Sequence, residues 1–148
     1  MRRLSRRRLK KNIDMAGVKK AIEEAEKRTS GEIRVCLSRF FWGSVQHAAE
    51  KAFDLLGMRE TEKRNGILFF VVPSRKKYFI LGDEGIHAKV GTSFWEHLAE
   101  ILSRHFGQGE YTQGLIKVIQ EAGNRLAEHF PFDPGTDVNE LPDDIVVQ

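Results

Sequence analysis

Arg64 to Gly85 reads RNGILFFVVPSRKKYFILGDEG, and the organisation of the chain turns on this stretch. Ile67 to Val72 is apolar at every position. A half-exposed strand would alternate, so this run predicts a strand covered on both faces. Pro73-Ser74-Arg75-Lys76 supplies turn residues, and Lys77 to Leu81 predicts the returning strand of a hairpin. Gly82-Asp83-Glu84-Gly85 then stops that strand, with the composition of a type I turn closed by glycine.

Working outward, Val18, Ala21, Ile22 and Ala25 recur at helical spacing between Asp14 and Arg28, with charged residues on the remaining positions. Thr29-Ser30-Gly31 ends that helix. Ile33, Val35 and Leu37 alternate with Glu32, Arg34, Cys36 and Ser38, the period-two pattern of a strand with two unlike faces. Ser44 suits an N-cap, and Val45, Ala48, Ala49, Ala52, Phe53 and Leu56 form the apolar side of a second helix ending at Gly57. Beyond the hairpin lie two more apolar stripes. One runs from Val90 through Phe94, Leu98 and Leu102 to Phe106, the other from Tyr111 through Leu115, Val118 and Ala122 to Leu126.

The order is therefore helix, strand, helix, strand, strand, helix, helix. Two strands joined through a helix are parallel with a right-handed crossover, and the hairpin adds an antiparallel strand. A small mixed sheet with helices on both faces is expected, a three-layer α/β/α sandwich with about four helices. Its span is residues 14–132, between a basic arm at 1–13 and an acidic tail at 133–148 read as extended.

The 148 residues carry a formal net charge of +3, but the charge is segregated. Residues 2–11 hold seven Arg or Lys and no acid, whereas 133–148 hold five acids and no base. The calculated pI of 9.1 thus describes the arm and not a basic face on the fold. A mean hydropathy of −0.41 and the lack of any apolar run near the ~20 residues of a membrane helix point to a soluble domain. One cysteine excludes an internal disulfide and fits a reducing compartment. The basic N-terminus has no apolar stretch behind it, so a cytoplasmic location is expected.

The topology predicts where polar residues converge. The third strand runs against the other two, so Asp83 and Glu84 at its end should lie beside Ser30 and Glu32 at the start of the first strand and Arg64 and Asn65 at the start of the second. Carboxylates with amide, hydroxyl and backbone oxygens are the ligand set of a hard cation, calcium or magnesium. A competing reading makes the same residues a turn, with Arg64 paired to Asp83 in place of a metal. His87 follows the second glycine as a further polar candidate, but none of the five histidines has a zinc-type spacing with a cysteine. Trp42, in a loop, and Trp95, one step off a core stripe, are candidates for a partner-binding surface.

The segments AIEEAEKRTSGEIRV from Ala21, RNGILFFVV from Arg64, ILGDEGI from Ile80 and FGQGEYTQGLIKVI from Phe106 resemble, in this order, the TPM-domain family. The family takes its name from a thylakoid lumen protein, a photosystem II protein and a nematode receptor modulator. The likeness runs from about 14 to 131 and is strongest with a cytoplasmic bacterial branch. It implies an α/β/α sandwich, a divalent-cation site of acidic residues at the edge of the sheet in some members, acid phosphatase activity in the thylakoid member, and accessory roles in others. Many relatives carry DNG where this chain has Arg64-Asn65-Gly66, and GYGLEG where it has Gly82 to His87. A cation thus stands in place of an expected carboxylate.

These observations lead to an accessory or partner-binding TPM module with a weak calcium or magnesium site at Asp83, Glu84 and Glu32. Two alternatives are a metal-dependent acid phosphatase, and a basic arm (residues 2–11) that binds anionic lipid or nucleic acid.

Overall fold

The computed structural model describes residues 13–134 and 145–148. Helix α1 (Met15–Glu26) leads to strand β1 (Glu32–Leu37), helix α2 (Val45–Leu55) and strand β2 (Gly66–Val72). A 3-10 turn at Pro73–Arg75 opens strand β3 (Lys77–Gly82). One-turn helix α3 (Glu84–His87), helices α4 (Thr92–Gly107) and α5 (Tyr111–His129), and the short strand β4 (Val146–Val147) follow. The sheet order is β3-β2-β1-β4. β1 lies parallel to β2 with Glu32 opposite Gly66 and Leu37 opposite Val71, and β3 is antiparallel to β2 with Ile67 opposite Gly82.

The expected hairpin, parallel crossover and layered α/β sandwich are all present. Side-chain alternation on the strands sorts the core into two. Ile33, Val35, Leu37, Ile67, Phe69 and Val71 face α1, α4 and α5, where they meet residues such as Ile22, Leu98, Leu115 and Val118. Cys36, Leu68, Phe70 and Val72 face α2 and its Ala49, Ala52 and Phe53. Local signals fix the helix ends: Asp14 accepts from the Gly17 N–H and Ser44 from the His47 N–H, each satisfying an otherwise orphaned donor.

Three features depart from the sequence pattern. β1 is buried along its whole length, Glu32 and Arg34 included, although its alternation predicts two unlike faces. The reason is that α2 and the loop after it cover the polar side, and the Leu56 carbonyl accepts from Arg34 Nη1 at 3.2 Å. Asp83 caps a helical turn, which adds α3 to the four expected helices. The last residues of the acidic tail pair with β1, Val146 beside Cys36 and Val147 beside Leu37, and so add a fourth strand too short for any periodicity to reveal.

Cys36 sits under α2 with no exposed surface, and burial pushes its thiol up to about 12. The thiolate, not the thiol, is the nucleophile, so Cys36 should react with a disulfide reagent only as fast as the protein opens globally. The folded pKa lies above the unfolded one, so the stabilisation held below pH ~9 is lost as pH rises toward 12. Cys36→Ala should flatten that alkaline decline; thermal midpoints recorded between those limits will show an unchanged slope if the thiol contributes nothing.

Candidate functional site

The predicted polar edge forms where β1 and β2 begin and β3 ends. The Asp83 N–H donates to the Gly66 carbonyl at 2.9 Å, continuing the hairpin ladder one residue beyond Gly82, and the Glu32 N–H donates to the Asn65 carbonyl at 3.2 Å. Asp83 thereby enters the protein interior, its side chain wholly inaccessible. Its carboxylate receives a bidentate fork from Arg64: Nε donates to Oδ2 at 2.7 Å and Nη2 to Oδ1 at 2.9 Å. Oδ1 also accepts the Glu84 N–H at 2.8 Å, which starts α3. Arg59 Nη1 stands 3.8 Å from the same oxygen, and Arg59 Nε is held by Asp54 at 2.8 Å.

Arg64 reaches Asp83 from a left-handed backbone, φ 52°, where side chains other than asparagine, aspartate and glycine are rare. The guanidinium is pushed above its usual range, first by the hydrogen bond to Asp83, with the charges of Asp83 and Glu84 adding to it. Glu84 meets Arg64 Nη1 at 3.2 Å but is largely exposed, so this contact is screened by solvent. The backbones close tightly around the pair. The Gly85 N–H donates to the Arg64 carbonyl at 2.9 Å, and a Cβ at Gly85 would lie 2.2 Å from the Lys63 carbonyl oxygen. A Cβ at Gly82 would lie 2.3 Å from the Trp95 ring. Both glycines are demanded by close approach.

The remaining candidates divide. Asn65 is buried, its Nδ2 is 3.5 Å from Ser30 Oγ, and its Oδ1 has no hydrogen-bond partner among the described residues. Lys63 Nζ lies 3.4 Å from the same hydroxyl. Glu32 is buried opposite Gly66, with β2 between it and the end of β3 that carries Asp83. Exposed His87 packs at a tilt on Trp95 of α4, with ring centroids 5.1 Å apart. Trp95 itself packs against the core, whereas Trp42 is 80% exposed. Arg59, Asp54 and Lys63 join the edge without a clear sequence signal; the run of charges from Arg59 to Arg64 marked only a polar loop.

As a metal centre the arrangement is incomplete. Both Asp83 oxygens are engaged by Arg64, and among the described residues no three His, Cys, Asp or Glu side chains are grouped to hold an ion. An ion would need the guanidinium to withdraw, after which Asp83, Glu84 and the open Asn65 Oδ1 are hard oxygen donors of the right kind. Of the basic arm at 1–13, residues 1–12 lie outside the described residues. No helix among the described residues is long and apolar enough to cross a membrane.

Removing the fork should leave Asp83 as a buried carboxylate without its counter-charge, so Arg64→Met should lower the denaturation midpoint more than Arg59→Met does. Equal losses would mean that Arg64 is not the principal partner. Gly85→Ala must push apart backbone atoms and should cost about 1–3 kcal/mol in the same urea titration.

The sequence matches the TPM domain family over residues 11–125. Among solved structures, the NMR structure of BA42 from the psychrophilic bacterium Bizionia argentinensis is 37% identical. It superposes with a TM-score of 0.86 over 91% of this chain and 92% of that one. The N-terminal domain of cg2496 from Corynebacterium glutamicum, at 14% identity, shares the fold with a TM-score of 0.61 over 75% of this chain and 70% of the other. A search of curated proteins finds no match. With most of its length inside the family match and a close structural relative on the same fold, this chain belongs to the TPM-domain family.

Proposed function

We propose that the protein is a non-catalytic TPM module that works through a partner, and that its sheet edge is a weak calcium or magnesium site gated by Arg64. One observation carries this reading: the bidentate Arg64–Asp83 pair occupies the carboxylate that a hard cation would seek. A divalent ion competes with that fork instead of entering an open cage, and the exchange holds affinity in the millimolar range of loosely built oxygen sites. Asp83, Glu84 and Asn65 would supply oxygens, with Glu32 adjacent. The side chain of Trp42, projecting into solvent, supports the partner part of the reading.

Nucleophilic chemistry finds little support in the residues present. The Cys36 thiol is buried with its pKa raised to about 12, and the edge carboxylate is bound by arginine.

An NMR titration with calcium tests the site. Amides of Gly82 to Ile86 and of Asn65 should shift at millimolar ion, and Arg64→Gln should strengthen binding about tenfold by removing the competitor. Absence of shifts in both proteins would overturn the cation site. Hydrolysis of a generic phosphomonoester by the wild type, abolished in Asp83→Asn, would replace the module by a metal-dependent phosphatase.

A further inference from the structure

The α4–α5 pair carries a cavity that the carboxylate edge does not use. The two helices are joined by three residues, 108–110, and pack side by side as an antiparallel hairpin. Near the connection they close tightly, and a Cβ at Gly114 would lie 2.9 Å from His105 Cβ. Away from it, the start of α4 and the end of α5 enclose a cavity of about 340 Å³. α4 contributes Ser93, Phe94 and His97, and α5 contributes Glu121, Asn124, Arg125 and Glu128. Only Phe94 is apolar, and it belongs to the core.

The polar groups of the lining are only partly matched to one another. Glu121 Oε1 lies 3.3 Å from Lys117 Nζ, and its Oε2 lies 3.9 Å from His97 Nε2. Asn124 Oδ1 accepts from Arg28 Nη1, which leaves the Asn124 amide nitrogen as a donor. Arg125 Nη1 meets Glu128 Oε2 at 3.3 Å. Arg125 Nε, in contrast, is shielded from solvent and has no hydrogen-bond partner among the described residues. A shielded donor left unpaired is costly and uncommon. With Nη1 turned to Glu128, the Nε–Nη2 side of this guanidinium remains for an acceptor. That is the side by which Arg64 holds Asp83.

We propose that this cavity binds a free α-amino acid with a small or neutral polar side chain. A carboxylate suits the open side of Arg125, with the Asn124 amide and the Ser93 hydroxyl as further donors. A simple anion would also meet Glu121 and Glu128, and a simple cation would meet Arg125, so part of the lining opposes each. A molecule that carries both charges close together is opposed by neither. Its carboxylate faces Arg125 and its ammonium faces Glu128, three residues on and on the same side of α5. The volume lies at the lower end of the roughly 300–1,000 Å³ of ligand pockets, which favours a small molecule. Such a ligand has no net charge, so distant charges on the chain contribute little to its capture. None of the lining residues belongs to the carboxylate edge, and the two sites stand or fall separately.

An NMR titration of the full chain with L-glutamine, acetate and methylammonium tests it. L-Glutamine at millimolar concentration should shift the amides of Ser93 to His97 and of Glu121 to Glu128, and leave Gly82 to Ile86 in place. Acetate and methylammonium, with one charge each, should bind about tenfold more weakly. Arg125→Gln and Glu128→Gln should each weaken L-glutamine binding about tenfold. Their side chains are 42% and 61% exposed, so an unchanged thermal midpoint verifies folding. If L-glutamine, L-serine and glycine all leave these amides unmoved, the proposal is overturned. Acetate that binds as tightly as L-glutamine would make the cavity an anion site instead, and methylammonium that does so a cation site. Affinity unchanged in both variants would place the ligand elsewhere and equally overturn the assignment.

Discussion

A carboxylate with no access to water stands at the centre of the polar edge, and the surrounding backbone is arranged to supply its counter-charge. Asp83 is carried inward because the β2–β3 ladder continues through it to Gly66. Burying an ionised carboxylate without compensation costs several kcal/mol. Arg64 meets that demand with two parallel hydrogen bonds, and its left-handed backbone places the guanidinium over the strand end. Gly85 then lets α3 begin against the Arg64 carbonyl, where a larger residue would collide. The start of β2, the end of β3 and the entry to the α4–α5 pair are thus joined through one charged contact.

The same mixed topology gives the sheet two chemically different ends. Parallel β1 and β2 start together at the carboxylate edge and finish together at the cationic, tryptophan-bearing loops. Antiparallel β3 carries Lys77 at the second end and Asp83 just past the first, so the hairpin separates the charges along its own length. Arg64 gives this edge an internal ion pair, with both carboxylate oxygens of Asp83 taken up by its guanidinium.

The edge was legible to a useful degree because hairpin topology dictates which strand ends are neighbours. Ser30, Glu32, Arg64, Asn65, Asp83 and Glu84 come to one side of the sheet as the pattern predicts, and the Arg64–Asp83 pair was one of the two readings the residues allowed. Their division into a tight pair, a buried amide and a more distant glutamate was not legible. That depends on side-chain reach and on Arg59 and Lys63, whose loop has no periodic signal. Trp95 looked similar to Trp42 in sequence, yet it fills the space that Gly82 leaves against the core while Trp42 remains in solvent.

Local pattern by itself determined the four longer helices, the Ile67–Val72 strand, the hairpin and hence the fold class, because apolar periodicity and turn chemistry act over a few residues. Only the tertiary structure decided that β1 is covered on its polar face, since coverage comes from α2 and the Leu56 carbonyl, which lie outside the strand. Likewise β4 exists only by pairing with Cys36 and Leu37, as two valines have no strand of their own to form. The seating of Arg75 from one loop on Phe41 of the other also required the fold. Burial and proximity are properties of packed neighbours, and the chain order records neither.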